Sequence, residues 1–286
     1  MTKTINTTIA LLLCITAQLL TMETVIANTP LLSTPEPAPV PGGIALVVIP
    51  NYEKGMVIKY NNERAAVLRY NDTWVALGGI PLSAKAGEDH AFSIRYTNGI
   101  TLNTKITINA KQYPEQHLTI TNKRKVNPNA DDLKRIGRES IRKKKAKTHW
   151  SDSNPAFDFI WPVEGRTSST FGLRRFFNEQ ERKPHSGLDI AAIEGTPVKA
   201  TSDGTVIETG DFFFSGNMIY IDHGQGIISL YAHLSQINVK PGDKVKQGDV
   251  IGAVGQTGRV TGAHLHFAIL ANKTLIDPIY MLTNKK

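Results

Sequence analysis

The stretch "GTPVKATSDGTVIETG", residues 195–210, decides the fold. Gly195 and Gly204 mark tight turns, and each is followed by a short run in which valine alternates with polar residues. That is the composition of short strands joined by glycine turns. The stretch "PGDKVKQGDVIGAVGQTG", residues 241–258, has the same rhythm, although only its turn chemistry repeats. Together they predict a compact, wound β domain with two related halves over residues 154–286.

Working outward, "TGAHLHFAIL" at residues 261–270 places His264 and His266 two apart. In a strand, alternate side chains share a face. Both imidazoles therefore lean into one space, while Leu265 and Phe267 face the other way. A bare H-x-H is also what two surface histidines look like, so further ligands are needed before a metal is inferred. One candidate group is "HSGLDIAA", where His185 precedes Asp189 by four residues. One imidazole, one carboxylate and a further histidine make a His₂Asp set. Three protein ligands plus water is the arrangement of catalytic zinc, whereas structural sites usually close with four. "YAHLS" adds His233 at the end of a β run. No HExxH helix occurs, which excludes that design. His223 lies in "DHGQG" and reads as a residue that holds a turn, with Asp222 a turn acceptor.

The start, "MTKTINTTIALLLCITAQLLTMETVIANTP", reads as an export leader over residues 1–27. Lys3 gives a positive flank, residues 9–20 are mostly apolar, and Val25-Ile26-Ala27 resembles a cleavage site. An uncleaved anchor is the rival reading, but the apolar run falls short of the roughly 20 residues a spanning helix needs. Cys14 is the only cysteine. A processed chain has none, so it forms no disulfide, and its metal ligands are histidine and carboxylate. The expected location is the periplasm or cell envelope.

Residues 28–43 form a proline-rich linker. Seven short β runs follow within 44–122, at 44–49, 56–60, 65–70, 74–80, 90–96, 100–108 and 117–120. Turn signals separate them, and the pattern predicts a β-sandwich-like module. His90 and His117 read as ordinary strand residues. Residues 123–153 read as a basic helical connector. Asn129 caps the helix, Leu133, Ile136 and Ile141 lie on roughly one side, and the helix dissolves into "RKKKAK". Between Lys123 and Lys147, eleven Lys/Arg face three Asp/Glu, which accounts for the whole net charge of +8. No aromatic residues interleave with this stripe, which argues against nucleic acid. A solvated connector, or one attracted to an anionic envelope polymer or an envelope regulator, fits better. No obligate protein partner is evident. The fold class is thus all-β: a sandwich-like module, a helical connector and a wound β domain of duplicated-hybrid-motif type.

With these motifs quoted, residues 161–278 resemble the lysostaphin/LytM-type zinc metallopeptidases that cut peptide bonds in bacterial cell walls. The matching stretches, in order, are "TFGLR", "HSGLDIAA", "GTPVKA", "DGTV", "IDHGQGIISLYAHLS", "GDVIG", "GQTG" and "TGAHLHF". Residues 113–128 also resemble the modules that precede this domain in Gram-negative envelope peptidases. The resemblance implies one Zn²⁺ per chain held by His185, Asp189 and His266. It places His233 and His264 beside the attacking water and the scissile carbonyl, without dividing the roles between them. The implied activity is endopeptidase cleavage of stem peptides or cross-links in peptidoglycan. The alternative is a non-catalytic wall-binding module that regulates another hydrolase. Two stretches, "RRFFNEQERKP" and "TGDFFFSGN", read as walls of the cleft, with Arg174 and Phe213 as substrate contacts. Ala263 stands where the family often has Pro, and Ala268 where it often has Glu. The second departure puts metal affinity or rate in doubt through loss of an orienting carboxylate.

Overall fold

The computed structural model describes residues 37–70, 73–155 and 158–283. The leader, Cys14 and residues 28–36 of the linker lie outside the described residues. The protein is mostly β. Strands appear where short apolar runs alternate with Gly and Asn turns, and among the described residues the two α-helical segments both lie within the basic stretch.

The C-terminal half is built on a large antiparallel sheet. Its strands run in the order Lys244–Val245, Gly204–Phe212, Gly216–Gly224, Ile227–Leu234, His264–Ala271, Leu188–Ala191 and Arg166–Ser169. Thr274–Ile276 flanks His264–Ala271. A second sheet contains Pro197–Lys199, Val250–Ala253 and Gln236–Ile237. The two glycine-punctuated stretches that predicted this domain pair with each other. Pro197 lies opposite Ala253, and Gly204 opposite Val245. One apolar cluster joins both sheets, with Val198 and Ile251 from the smaller and Val206, Leu265 and Phe267 from the larger. Leu265 and Phe267 are fully buried. The face they share is set by the period-2 alternation of the strand, which leaves His264 and His266 on the opposite face.

The N-terminal strands form two sheets. Ile44–Val48, Thr73–Gly79 and Ala66–Tyr70 make one, and Glu63–Arg64, Val57–Tyr60, Asp89–Arg95 and Thr101–Thr107 make the other. Ala45, Val67 and Ala76 pack with Ile58, Phe92 and Ile94 in a core between these sheets. The alternate residues Ile44, Ala66, Leu68, Val75 and Leu77 belong instead to the C-terminal cluster. The three-stranded sheet is therefore buried on both faces. The run expected at 117–120 is a strand at Glu115–Leu118. It pairs in parallel with Arg174–Phe177, a wall of the C-terminal half, and with neither N-terminal sheet.

Helix α1 spans Lys123–Val126 and helix α2 spans Ala130–Lys147. Asn129 caps α2 through a reciprocal pair of bonds with Asp132, which satisfies donors the first turn leaves open. One expectation fails here: the helix does not dissolve in the basic tail but runs through it to Lys147. Its apolar side is not its packed side, since Leu133 is 58% and Ile141 72% exposed. Polar groups fix it to the large sheet. Arg142 donates to Glu208 and to the Thr209 carbonyl, Arg135 donates to Asp211, and the buried Glu139 accepts the Phe213 N–H.

Candidate active site

Strand register brings the central residues together. Asp189 lies directly opposite His266 on neighbouring antiparallel strands. His185 sits on the turn just before Leu188–Ala191. Its Nε2 is 2.9 Å from Asp189 Oδ1 and 3.0 Å from His266 Nδ1, and His266 Nδ1 is 2.7 Å from Asp189 Oδ1. These are the only three His, Cys, Asp or Glu residues among those described that converge closely enough to hold a metal ion. Ligands at tetrahedral angles about 2.0–2.1 Å from zinc lie roughly 3.3 Å apart, so this triangle needs only a slight expansion to take the ion. Gly187 makes the closeness possible, because a Cβ there would lie 2.4 Å from the Phe267 carbonyl oxygen and 2.8 Å from His266 Cε1.

The protonation states suit ligation. His185 Nδ1 is 2.7 Å from the Thr170 carbonyl oxygen, an acceptor only, so Nδ1 carries the hydrogen and Nε2 keeps its lone pair toward the site. Burial is the main force holding the His185 pKa down, to about 4, and the imidazole is neutral at pH 7. Burial works to raise the Asp189 pKa, but the close His185 and His266 rings outweigh it and hold the carboxyl well below its usual range. The site thus offers two imidazoles and one carboxylate, the donor set of a catalytic zinc centre without thiolate.

His233 and His264 stand beside the triangle. Their ring centroids are 4.9 Å apart, and His233 is 6.0 Å from His266. His233 Nδ1 donates to the Thr257 carbonyl at 2.8 Å and His264 Nδ1 to the Gly262 carbonyl at 2.9 Å. Each ring therefore keeps Nε2 as its unprotonated, accepting nitrogen, and that of His264 lies 3.8 Å from Asp189 Oδ1. Burial leads in lowering the His233 pKa to about 3, with His266 and His264 adding to it. His233 also has a left-handed backbone, φ 65°, which is uncommon for a residue with a side chain. Its N–H donates to the Ser215 carbonyl, so the loops at 215 and 257 over-determine this conformation.

Two proposed contacts lie elsewhere than expected. Arg174 points outward to Glu115 and Glu181, and it is Arg175 that reaches the site. Arg175 donates to Asp189 Oδ2 at 2.7 Å and to Ser169 Oγ at 3.0 Å, and Gln116 Oε1 in turn accepts from its Nε. Sequence reasoning passed over Arg175. Strand alternation was the signal available, since consecutive arginines must face opposite sides. Phe213 is turned to a cavity lined by Arg124, Lys125 and Arg135 beside the helices, not to the triangle. It is 3% exposed, under the Lys125 ammonium, and Phe214 is the half-exposed member of the three. His223 is a buried structural residue, bonded to the Asp203 carbonyl and Ser229, and Asp222 accepts the Gly224 N–H as a turn acceptor does. Ala268 packs in an apolar cluster with Phe212, Tyr220 and Leu230, surroundings that would desolvate a carboxylate.

A wound β domain whose open face carries a His-Asp-His triangle and two tautomer-fixed histidines has the fold and site of a peptidase. The comparisons agree: residues 183–278 match Peptidase family M23, and residues 37–111 match the Peptidase family M23 N-terminal domain. A crystal structure from Pseudomonas aeruginosa described as a peptidase M23 is 36% identical. The match covers 85% of this chain and 94% of that one, with a TM-score of 0.71. The chain belongs to peptidase family M23. A peptidoglycan DD-endopeptidase of Vibrio cholerae is 44% identical over 113 residues, 38% of this chain and 26% of that protein. The catalytic domain of lysostaphin from Staphylococcus simulans is 37% identical, over 40% of this chain and 90% of that domain, with a TM-score of 0.37. The chain thus spans about a quarter of the length of the curated endopeptidase it matches.

Proposed function

We propose that this chain is an exported zinc endopeptidase that hydrolyses peptide bonds in the stem peptides or cross-links of peptidoglycan. The observation that carries the reading is the convergence of His185 Nε2, Asp189 Oδ1 and His266 Nδ1 within 3.0 Å of one another. His185, Asp189 and His266 would hold the ion, which when bound acidifies water and polarises the scissile carbonyl. Arg175 fixes the Asp189 carboxylate in the orientation that ligation needs. His233 and His264 present unprotonated Nε2 atoms beside the triangle. One takes the proton of the attacking water and returns it to the leaving amine, and the other, when protonated, stabilises the carbonyl oxygen. The peptidoglycan substrate rests on the names of the endopeptidase relatives, and export rests on the leader. No helix among the described residues is long and apolar enough to cross a membrane.

The test is incubation of the full chain with purified sacculi, with a chelator and with zinc restored. The expected outcome is release of muropeptides only when zinc is bound, at one ion per chain. His266→Ala should lower bound zinc and stop release together. Zinc-loaded protein that releases nothing anywhere between about pH 6 and 9, where a histidine and zinc-water mechanism operates, would overturn the reading.

A further inference from the structure

Between α2 and the face that carries the triangle lies a cavity of about 510 Å³ with four cations in its walls: Lys143, Arg182, Lys183 and Arg259. Among the described residues none of the four has a carboxylate partner. Lys143 Nζ donates to Ser215 Oγ at 3.1 Å, Arg259 donates to the Lys125 carbonyl, and Arg182 donates to carbonyls and to Gln180. Glu139 also lines the cavity, but its oxygens already accept from Arg135 Nε and the Phe213 N–H. Its charge offsets one of the four, and its field reaches Lys143, so the walls carry a net positive charge. That crowding shows in the groups themselves. Burial above all, with Arg175 and Arg182 adding, lowers the Arg259 pKa to about 10, and burial lowers that of Lys143 to about 8. A folded chain tolerates such a cluster when an anion completes it.

The cavity shares its walls with the candidate active site. Lys183 and Ser186 flank the turn that carries His185. The Phe214 carbonyl accepts the Arg259 N–H, and the next carbonyl, that of Ser215, accepts the N–H of His233. The cavity thus adjoins the segments that hold two of the site's histidines, which makes the molecule in the cleft its natural occupant.

From this arrangement we infer that the α2 cavity is a carboxylate-binding subsite, in which Lys143 and Lys183, with Arg259, select peptide substrates bearing a free carboxylate near the scissile bond. This rests on the peptidase reading above for the identity of the molecule in the cleft. It assigns α2 a part in substrate choice, although α2 lies outside the segment matched to the peptidase family.

The experiment compares a cross-linked muropeptide dimer, isolated from sacculi, with the same dimer after its carboxylates are converted to amides. Binding is measured by calorimetry on the full chain carrying His264→Ala to slow turnover, and hydrolysis on the unaltered chain. The acid dimer should bind about tenfold tighter than the amide, as expected for one charge-assisted contact. Lys143→Met and, separately, the exposed Lys183→Met should each weaken the acid dimer and leave the amide where it was, with melting temperature as the check on folding. Equal affinity for acid and amide in the parent overturns the inference, as does undiminished preference for the acid in both lysine variants. Inorganic phosphate alone should compete with the acid dimer in the parent and less so in Lys143→Met. Phosphate binding without any preference for the acid dimer would make the cavity a site for free phosphate and overturn the peptide assignment. If the acid dimer binds with this preference but the unaltered chain hydrolyses nothing, the endopeptidase reading falls and the subsite stands.

Discussion

Arg175 donates to Asp189 while Arg174, one residue earlier, reaches Glu115 and Glu181 at the surface. The difference is the pleat of one strand, and it carries a consequence for the proposed zinc site. Arg175→Met removes the donor that orients the ligating carboxylate, so zinc affinity should fall about 10–100-fold, measured by competition with a chromophoric chelator. Arg174→Met should leave that affinity unchanged. The buried histidines carry a second prediction. The unfolded chain protonates His223 at about its ordinary pKa of 6.5, whereas burial above all holds the folded His223 to about 4. Between those values the unfolded state binds more protons, so acid favours unfolding. His185 acts in the same direction. Melting temperature should therefore fall as pH drops from about 6.5 toward 4, at a limiting slope of about 1.4 kcal/mol per pH unit for each such group. His223→Gln should flatten the profile, and an unchanged profile would remove His223 from the account. At this scale the sequence was informative. Period-2 alternation put both late histidines on one face, and spacing placed an imidazole next to a carboxylate. Arg175 and Phe214 were missed in favour of their neighbours because which of two adjacent side chains turns inward depends on pairing partners far away in the chain.

At the scale of elements, α2 is the segment least readable in advance. Its cap was legible, because Asn129 followed by Asp132 is a local signal. Its packed side was not, because Glu139, Arg142 and Lys143 meet their partners at residues 208–215, more than sixty positions away. A helix that docks through charges has no apolar stripe to announce the docking. Glu139→Ala would leave the Phe213 N–H and Arg135 Nε without their acceptor, while Arg135 keeps its bond to Asp211, at a cost of about 2 kcal/mol. Differential scanning calorimetry should register this as a fall of roughly 4–8 °C. Ile141→Ala, on the exposed side, should change stability by less than about 0.5 kcal/mol. If the two variants melt alike, the helix is held by something other than this carboxylate.

For the molecule as a whole, short strands between glycine and asparagine turns revealed the β class at both ends. What they could not reveal is that the three-stranded N-terminal sheet is shared between two cores, since alternation within a strand says nothing about what covers each face. Ile44, Leu68, Val75 and Leu77 close the C-terminal cluster. A fragment of residues 154–286 alone should therefore melt well below the full chain and bind a hydrophobic dye, as thermal denaturation with dye fluorescence would show. A fragment as stable as the parent would mean that this contact contributes little. The strand Glu115–Leu118 ties the same two regions together at the candidate site, through Gln116 and Arg175 to Asp189. Anyone grafting the catalytic unit onto another scaffold has to cut upstream of Glu115. A transplant trimmed to residues 183–278 keeps every proposed metal ligand and leaves the brace of its carboxylate behind in the donor.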